Sequence, residues 1–149
     1  MWIREAEEAD LEAWAALRHA LSPDYPEKAL LAGARTILAS DDMTCLLLFS
    51  PEGSAVGFVQ AEVYSGPNDP YCHVEGWYVM PEFRGRGYGR RLIEMLEGWC
   101  VHRAICLLTS FTGPEYALSA SAHLHAGFRK MCDFTIFMKE VQQPPEPDK

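Results

Sequence analysis

The stretch His73-Val74-Glu75-Gly76-Trp77-Tyr78-Val79-Met80-Pro81-Glu82-Phe83-Arg84-Gly85-Arg86-Gly87-Tyr88-Gly89-Arg90-Arg91 decides how the rest of the chain is read. His73 to Met80 is apolar and aromatic, with β-branched Val74 and Val79, which is the composition of a strand. Pro81 ends it, because proline has no N–H to give to a sheet ladder. Arg84 to Gly89 is a glycine-rich turn, after which Leu92, Ile93, Met95, Leu96, Trp99 and Cys100 recur at helical spacing. Strand, glycine-rich turn and helix in that order suit an anion. The N–H groups of a first helical turn are free and lie at the positive end of the dipole, and glycine admits a phosphate with no Cβ in the way. Arg84, Arg86, Arg90 and Arg91 add charge there. The plain alternative is a basic surface turn that caps an ordinary helix. A P-loop is excluded because no Gly-Lys-Ser/Thr precedes the helix, and a G-x-G-x-x-G fingerprint because the glycines are Gly85, Gly87 and Gly89.

Length and composition bound the answer. The chain of 149 residues is one domain, large enough for a core. We expect that domain over residues 1–141 and a disordered tail over 142–149, where three prolines are mixed with charges. No apolar run approaches the roughly 20 residues of a membrane span, and Met1-Trp2-Ile3-Arg4-Glu5 lacks the apolar core of a signal peptide. Cys45, Cys72, Cys100, Cys106 and Cys132 are odd in number and scattered, with no CxxC or His/Cys spacing of a zinc site. These features predict a reduced, cytoplasmic protein with no metal and no membrane partner. The net charge of −8 argues against nucleic acid as the main partner. It either steers a cationic substrate or serves solubility alone.

Along the chain, Trp2 to Ala6 reads as a first strand, and Asp10 as the N-cap of a helix carrying Leu11, Trp14, Leu17 and Leu21. Ser22-Pro23-Asp24-Tyr25-Pro26 breaks that helix, and a second runs from Glu27 to Ala39 with Gly33 inside it. Met43 to Phe49 and Ala55 to Tyr64 are strands joined by a short turn into a hairpin. After the 90–103 helix come a strand over Ala104 to Ser110, a helix over Glu115 to Ala126 closed by Gly127, and a last strand over Cys132 to Glu140. The expected fold is α/β (α+β), with one mixed, mostly antiparallel sheet of six to seven strands and helices on both faces. The 73–80 and 104–110 strands, joined by a helical crossover, should be parallel.

Val79-x-Pro81-x-x-Arg84-x-x-Gly87-x-Gly89 resembles the acyl-CoA pyrophosphate loop of the GCN5-related N-acetyltransferases. Over nearly the whole chain the resemblance is closest to the type I aminoglycoside 6′-N-acetyltransferases. It is carried by Ile3-Arg4, Leu11-Glu12-x-Trp14-x-x-Leu17-Arg18, Ile37-Leu38-Ala39-Ser40-Asp41, Gly57-Phe58, Glu75-Gly76-x-x-Val79-x-Pro81-x-Phe83-Arg84, Ser110, Pro114-Glu115, His123 and Gly127-Phe128. The resemblance implies that the parallel pair splays apart and that the pantetheine arm of acetyl-CoA enters the gap. It implies that the first two helices wall the acceptor pocket, and that the residue at Glu75 meets the aminoglycoside amine. The chain departs from that group at four places. Phe111 stands where the group has an aspartate, Tyr116 where it has an asparagine, Ser22 where it has a tryptophan, and Cys132 where it has an acidic residue.

The implied reaction is acetyl transfer from acetyl-CoA, as cosubstrate, to a primary amine. Proximity supplies much of the rate. The N–H groups of Trp77, Tyr78 and Val79 are expected to hold the pantetheine and polarise the thioester, and Arg84, Gly85, Arg86, Gly87, Tyr88 and Gly89 to hold the pyrophosphate. Glu75 is a carboxylate in an apolar strand, suited to attract the ammonium and take its proton. Gly76 is expected to mark the bulge that splays the strand. His123 stands where the family carries a tyrosine general acid. It is either a proton donor to the thiolate or a ring packed on the cofactor arm. Tyr116 is expected near the pantetheine, and Phe111 and Ser22 at the acceptor. Trp77 and Tyr78 point to opposite faces of their strand, so one is core and the other lines a pocket. The competing acceptors are a polyamine, an amino acid or a peptide, and the competing class is a non-catalytic acyl-CoA-binding domain. A homodimer through the last strand is a further expectation.

Overall fold

The computed structural model describes residues 1–131 and 137–139. Its elements are β1 (Trp2–Glu5), α1 (Leu11–Leu21), α2 (Glu27–Leu38), β2 (Met43–Phe49), β3 (Ala55–Tyr64), β4 (Tyr71–Val79), α3 (Tyr88–His102), β5 (Leu108–Ser110) and α4 (Ala117–His125). The strands form one sheet in the order β1-β2-β3-β4-β5. Every pairing is antiparallel except β4 with β5, which is parallel. The mixed sheet with helices on both faces is therefore as expected. Its strand count is five among the described residues, not six to seven. The strand expected over 132–140 lies largely outside those residues, as do Cys132, the tail and the homodimer expectation that rests on that strand.

Two-residue alternation along β2 builds a core on each face. Leu46 and Leu48 pack with Leu92, Ile93 and Leu96 of α3, while Cys45, Leu47 and Phe49 pack with Trp14 and Leu17 of α1 and Ala34 and Ile37 of α2. Each fully buried leucine contributes about 1.5–3 kcal/mol, so Leu47, Leu48, Leu92 and Leu96 fix the helices against the sheet. Gly33 does not interrupt α2. A Cβ there would lie 3.1 Å from Nη1 of Arg18, whose guanidinium crosses from α1 and donates to the Leu30 carbonyl at 2.8 Å. The glycine makes room for that bridge.

Three local expectations need correction. Asp10 occupies the N-cap position of α1, but its backbone is helical and its side chain makes no cap bond to that helix. Its carboxylate accepts instead from Arg4 Nη1 at 2.6 Å, Arg4 Nη2 at 3.0 Å and the Glu7 amide at 2.8 Å. A charged, two-pronged donor outcompetes a single helix amide. The strand expected from Ala104 begins only at Leu108. Ala104 has φ +56°, and the Ile105 amide returns to the Cys100 carbonyl at 3.0 Å, so residues 103–105 close α3 before the strand can start. Finally, the extra residue of the β4 bulge is Glu75, beside the expected Gly76. Gln60 pairs with Gly76 and Ala61 with Val74, which leaves Glu75 without a partner on β3.

Candidate active site

β4 and β5 share only three pairs, ending at Val74 with Ser110. Beyond that point the far edge of β4 pairs with no strand among the described residues. The Met80 amide donates to the Val56 carbonyl of β3 at 2.9 Å. By alternation Tyr78 also faces β3, while the N–H groups of Trp77 and Val79 face the open edge. Of the three amides expected to line the gap, Tyr78's is therefore turned the other way. Trp77 packs with the α3 core, and Tyr78 lies against the α1/α2 core. The Trp77 indole N–H donates to the Gly89 carbonyl at 3.2 Å, and its ring lies 3.2 Å from where a Gly89 Cβ would be. Glycine at 89 lets the first turn of α3 rest directly on the strand.

The turn ahead of α3 has the geometry of an anion cradle. Gly85 and Gly87 have φ of +73° and +79°, a region that costs other residues strain. The backbone N–H groups of residues 85–90 donate to no protein acceptor among the described residues. Six consecutive free amides beside the positive end of a 15-residue helix are a ready phosphate site. Arg86 is exposed and has no side-chain partner there. Arg84 is used differently from the expectation. Its amide bonds the Pro81 carbonyl, its Nε donates to the Val79 carbonyl at 2.7 Å, and its guanidinium lies 5.3 Å from the centre of the Tyr78 ring. Its Nε thus braces the end of β4. Arg90 is paired with Glu94 at 2.9 Å.

A family model described as Acetyltransferase (GNAT) family matches residues 14–128. The chain belongs to that family. It is 31% identical over 135 residues to the aminoglycoside N(6′)-acetyltransferase type 1 of Salmonella enteritidis, covering 87% of this chain and 92% of that protein. It is 32% identical over 133 residues to the enzyme of the same name from Stenotrophomonas maltophilia, covering 86% of each. Its fold superposes with a TM-score of 0.85 on aminoglycoside acetyltransferase AAC(6′)-Iy in complex with the bisubstrate analogue CoA-S-monomethyl-acetylneamine, at 30% identity, covering 94% of this chain and 98% of that one. The 6′-N-acetyltransferase AAC(6′)-IG from Acinetobacter haemolyticus, at 26% identity, gives 0.84, with 95% and 100% covered.

On the α1/α2 side of this GNAT sheet, Glu75 is pushed outward by its bulge and exposed. Its Oε1 accepts the Tyr64 hydroxyl at 2.7 Å, and the same hydroxyl lies 3.1 Å from Oε2 of Glu62. The two carboxylates hold Tyr64 protonated, pushing its phenol well above its ordinary range. Glu75, Glu62 and Gln60 share a cavity of about 170 Å³ with Ile37, Met43 and Ala61. Aromatic rings continue this face from the cavity to the fork: Tyr71 stacks on Tyr64 at 5.5 Å, Tyr64 meets the edge of His73 at 6.3 Å, and His73 lies 4.6 Å from Phe111. Phe111 is 72% exposed at the end of that row. Ser22 follows α1 directly. Its neighbour Leu21 would touch a Cβ at Gly76 at 3.5 Å, which puts the end of α1 beside the bulge.

On the α3 side, α4 delivers His123 to the fork. Gly127, with φ +92°, ends α4, its amide bonding the Leu124 carbonyl and the Phe128 amide that of His123, the paired bonds of a Schellman motif. His123 Nδ1 lies 2.7 Å from the Ser119 carbonyl. A carbonyl can only accept, so Nδ1 carries a proton, and Nε2 lies 2.7 Å from the Ser110 hydroxyl oxygen, within reach to accept from it or donate to it. Trp77 and Phe128 meet this ring at 5.2 Å each. Ser110, the last paired residue of β5, is thus a functional candidate that spacing alone did not single out, as are Glu62 and Tyr64. Tyr116 is 61% exposed at the N-cap of α4, with no side-chain partner among the described residues. No cluster of three or more His, Cys, Asp or Glu able to hold a metal occurs among the described residues.

Proposed function

We propose that this protein transfers the acetyl group of acetyl-CoA to the 6′-amine of an aminoglycoside in the cytoplasm. The observation that carries the reading is the fork itself: a strand edge and six amides that have no partner among the described residues, with a carboxylate face on one side and a Ser–His pair on the other. The relatives named above, and the CoA–aminoglycoside analogue held by one of them, support it.

In this reading the residue 85–90 amides and Arg86 bind the pyrophosphate, and the outward N–H groups of Trp77 and Val79 align the pantetheine and stabilise the developing thioester oxyanion. Glu75 draws in the ammonium and takes one proton, leaving a neutral amine to attack. As the new C–N bond forms and the C–S bond breaks, the nitrogen releases its second proton to water, Ser110 gives its proton to the departing sulfur, and His123, in its protonated form, replaces it through Nε2. Phe111 and the aromatic row offer the sugar ring an apolar shelf, and Ser22 borders the same opening. Tyr116, at the start of α4, flanks the pantetheine path.

Thiol release from acetyl-CoA, followed against aminoglycosides with and without a 6′-amine, polyamines, amino acids and short peptides, tests this reading. Turnover confined to 6′-amine compounds is expected. Turnover confined to another class reassigns the acceptor, and tight CoA binding with no turnover supports the acyl-CoA-binding alternative.

A further inference from the structure

Acetyl transfer as described above uses Glu75 but gives its hydrogen-bond partner no part. Glu62 and Tyr64 stand two residues apart on β3 and so share a face, and Glu75 reaches the same point from β4. The Tyr64 hydroxyl lies 2.7 Å from Glu75 Oε1 and 3.1 Å from Glu62 Oε2. A phenol has one proton, so it donates to one carboxylate at a time, while its oxygen can accept from the other. The ring is held on two sides, stacked on Tyr71 at 5.5 Å and set edge-on to His73 at 6.3 Å. The hydroxyl can therefore turn between its partners while the ring stays in place. Neither carboxylate forms an ion pair among the described residues, so each keeps oxygens that can take a proton.

We propose that Tyr64 and Glu62 form a proton relay that clears Glu75 while the acceptor is still bound. The acceptor ammonium loses one N–H bond, and Glu75 gains an O–H bond at Oε1. The Tyr64 hydroxyl turns to Glu62, gives its proton to Oε2, and takes the Glu75 proton on its own oxygen. Two O–H bonds break and two form, so the phenol is unchanged and its new proton again points at Glu75. Glu75 is then an anion beside the nitrogen as the amine attacks and that nitrogen turns positive. The second proton of the nitrogen still leaves to water. Glu62 releases its proton through the cavity it lines, which has room for several waters. The raised phenol suits this duty: flanked by two carboxylates, Tyr64 passes protons by exchange without ionising. A tyrosine that only packed would need no hydroxyl here, and one that only oriented Glu75 would need no second carboxylate. This inference rests on the acetyl-transfer reading, since Glu75 receives its proton in that reaction.

The test is the single-turnover rate of acetyl transfer by the full chain, with acetyl-CoA and an aminoglycoside bearing a 6′-amine both saturating. It is measured in dilute buffer and again with imidazole added as a free proton acceptor. Tyr64→Phe removes only the hydroxyl, and Glu62→Gln keeps the bond from Tyr64 to Glu75 but removes the end of the relay. Each should slow transfer by roughly tenfold or more, and the double variant should be no slower than the slower single one. Imidazole should raise the rate of both single variants by roughly fivefold or more. It should leave the wild type within about twofold, as it should Glu97→Gln, the same charge change on the exposed face of α3. A wild-type rate in either single variant overturns the relay and spares acetyl transfer. So does a slowed variant that imidazole does not lift, because a free base cannot replace a group that merely shapes the site. A wild type that transfers no acetyl overturns the acetyl-transfer reading and the relay with it.

Discussion

Glu75 and His123 stand on opposite faces of the sheet, on either side of the point where β4 and β5 part. Glu75 shares its cavity with Ile37 of α2, and His123 bonds Ser110 and packs on Trp77, which belongs to the α3 core. The last shared pair, Val74 with Ser110, lies between them. In the proposed reaction one group takes a proton from the attacking amine and another returns one to the leaving sulfur, and these are the two residues proposed for those steps.

Replacing Glu75 with Gln keeps the side-chain shape and removes the base. Acceptor kcat/KM should fall at least tenfold, in line with the range of about 10²–10⁴ for general acid–base groups, while CoA affinity stays within twofold. Steady-state kinetics with a CoA titration checks both. Unchanged turnover removes Glu75 from the mechanism.

The Ser110–His123 pair is expected to act as one unit. Ser110→Ala and His123→Phe should each lower kcat by roughly ten- to a hundredfold with little change in the KM for acetyl-CoA. The double variant should be no worse than the more damaged single one, because residues in one network are not additive. A merely packed His123 would instead give a stability loss with kcat intact.

Gly87 combines a φ of +79° with the N-cap position of α3. A Cβ added there meets nothing within 4 Å, and the backbone conformation itself opposes a valine by about 1–2 kcal/mol. Moving the backbone out of that conformation turns free amides away from the cradle. CoA affinity should fall at least tenfold with only a modest drop in melting temperature, measured by calorimetry and thermal denaturation.

Much of this was legible in the sequence because it rests on local chemistry. Proline after a strand, glycines at alternate positions and an apolar helical period define the β4–turn–α3 unit regardless of what packs around it. The uninterrupted apolar run Cys45 to Phe49 reads as a strand, and the structure buries it on both faces. What was not legible depends on pairing across the chain. The bulge falls on Glu75 because β3 register changes between Gln60 and Ala61, and Gly76 is glycine because a Cβ there would press Phe58 Cε2 at 3.0 Å. The bond from Arg84 Nε to the Val79 carbonyl is likewise invisible in the sequence. Ser110 and Tyr64 acquire meaning only when His123 and Glu75 arrive from elsewhere. Asp10 has the residue type of a cap, yet Arg4, six residues earlier on β1, takes its carboxylate.

That last pair makes a stability prediction. The Arg4 guanidinium, and then the Glu7 amide, hold the Asp10 carboxyl below its ordinary value of 3.8. Because the folded value is depressed, its contribution is complete well above that pH and is lost as pH falls through the folded value. Arg4 is 38% exposed, so solvent screening limits the worth of the pair to about 1 kcal/mol. Asp10→Asn should cost about that much in urea denaturation at pH 7, and the difference from wild type should shrink as the pH falls below 3.8.

The most direct measurement of the central claim is the position of the acetyl group after reaction with a matched pair of aminoglycosides, one bearing a 6′-amine and the other a 6′-hydroxyl, read by mass spectrometry and NMR of the products. The account predicts one acetyl per molecule on the 6′-nitrogen of the first compound, none on the second, and loss of that product in Glu75→Gln. Equal acetylation of both compounds, or an acetyl on any other nitrogen, would contradict it.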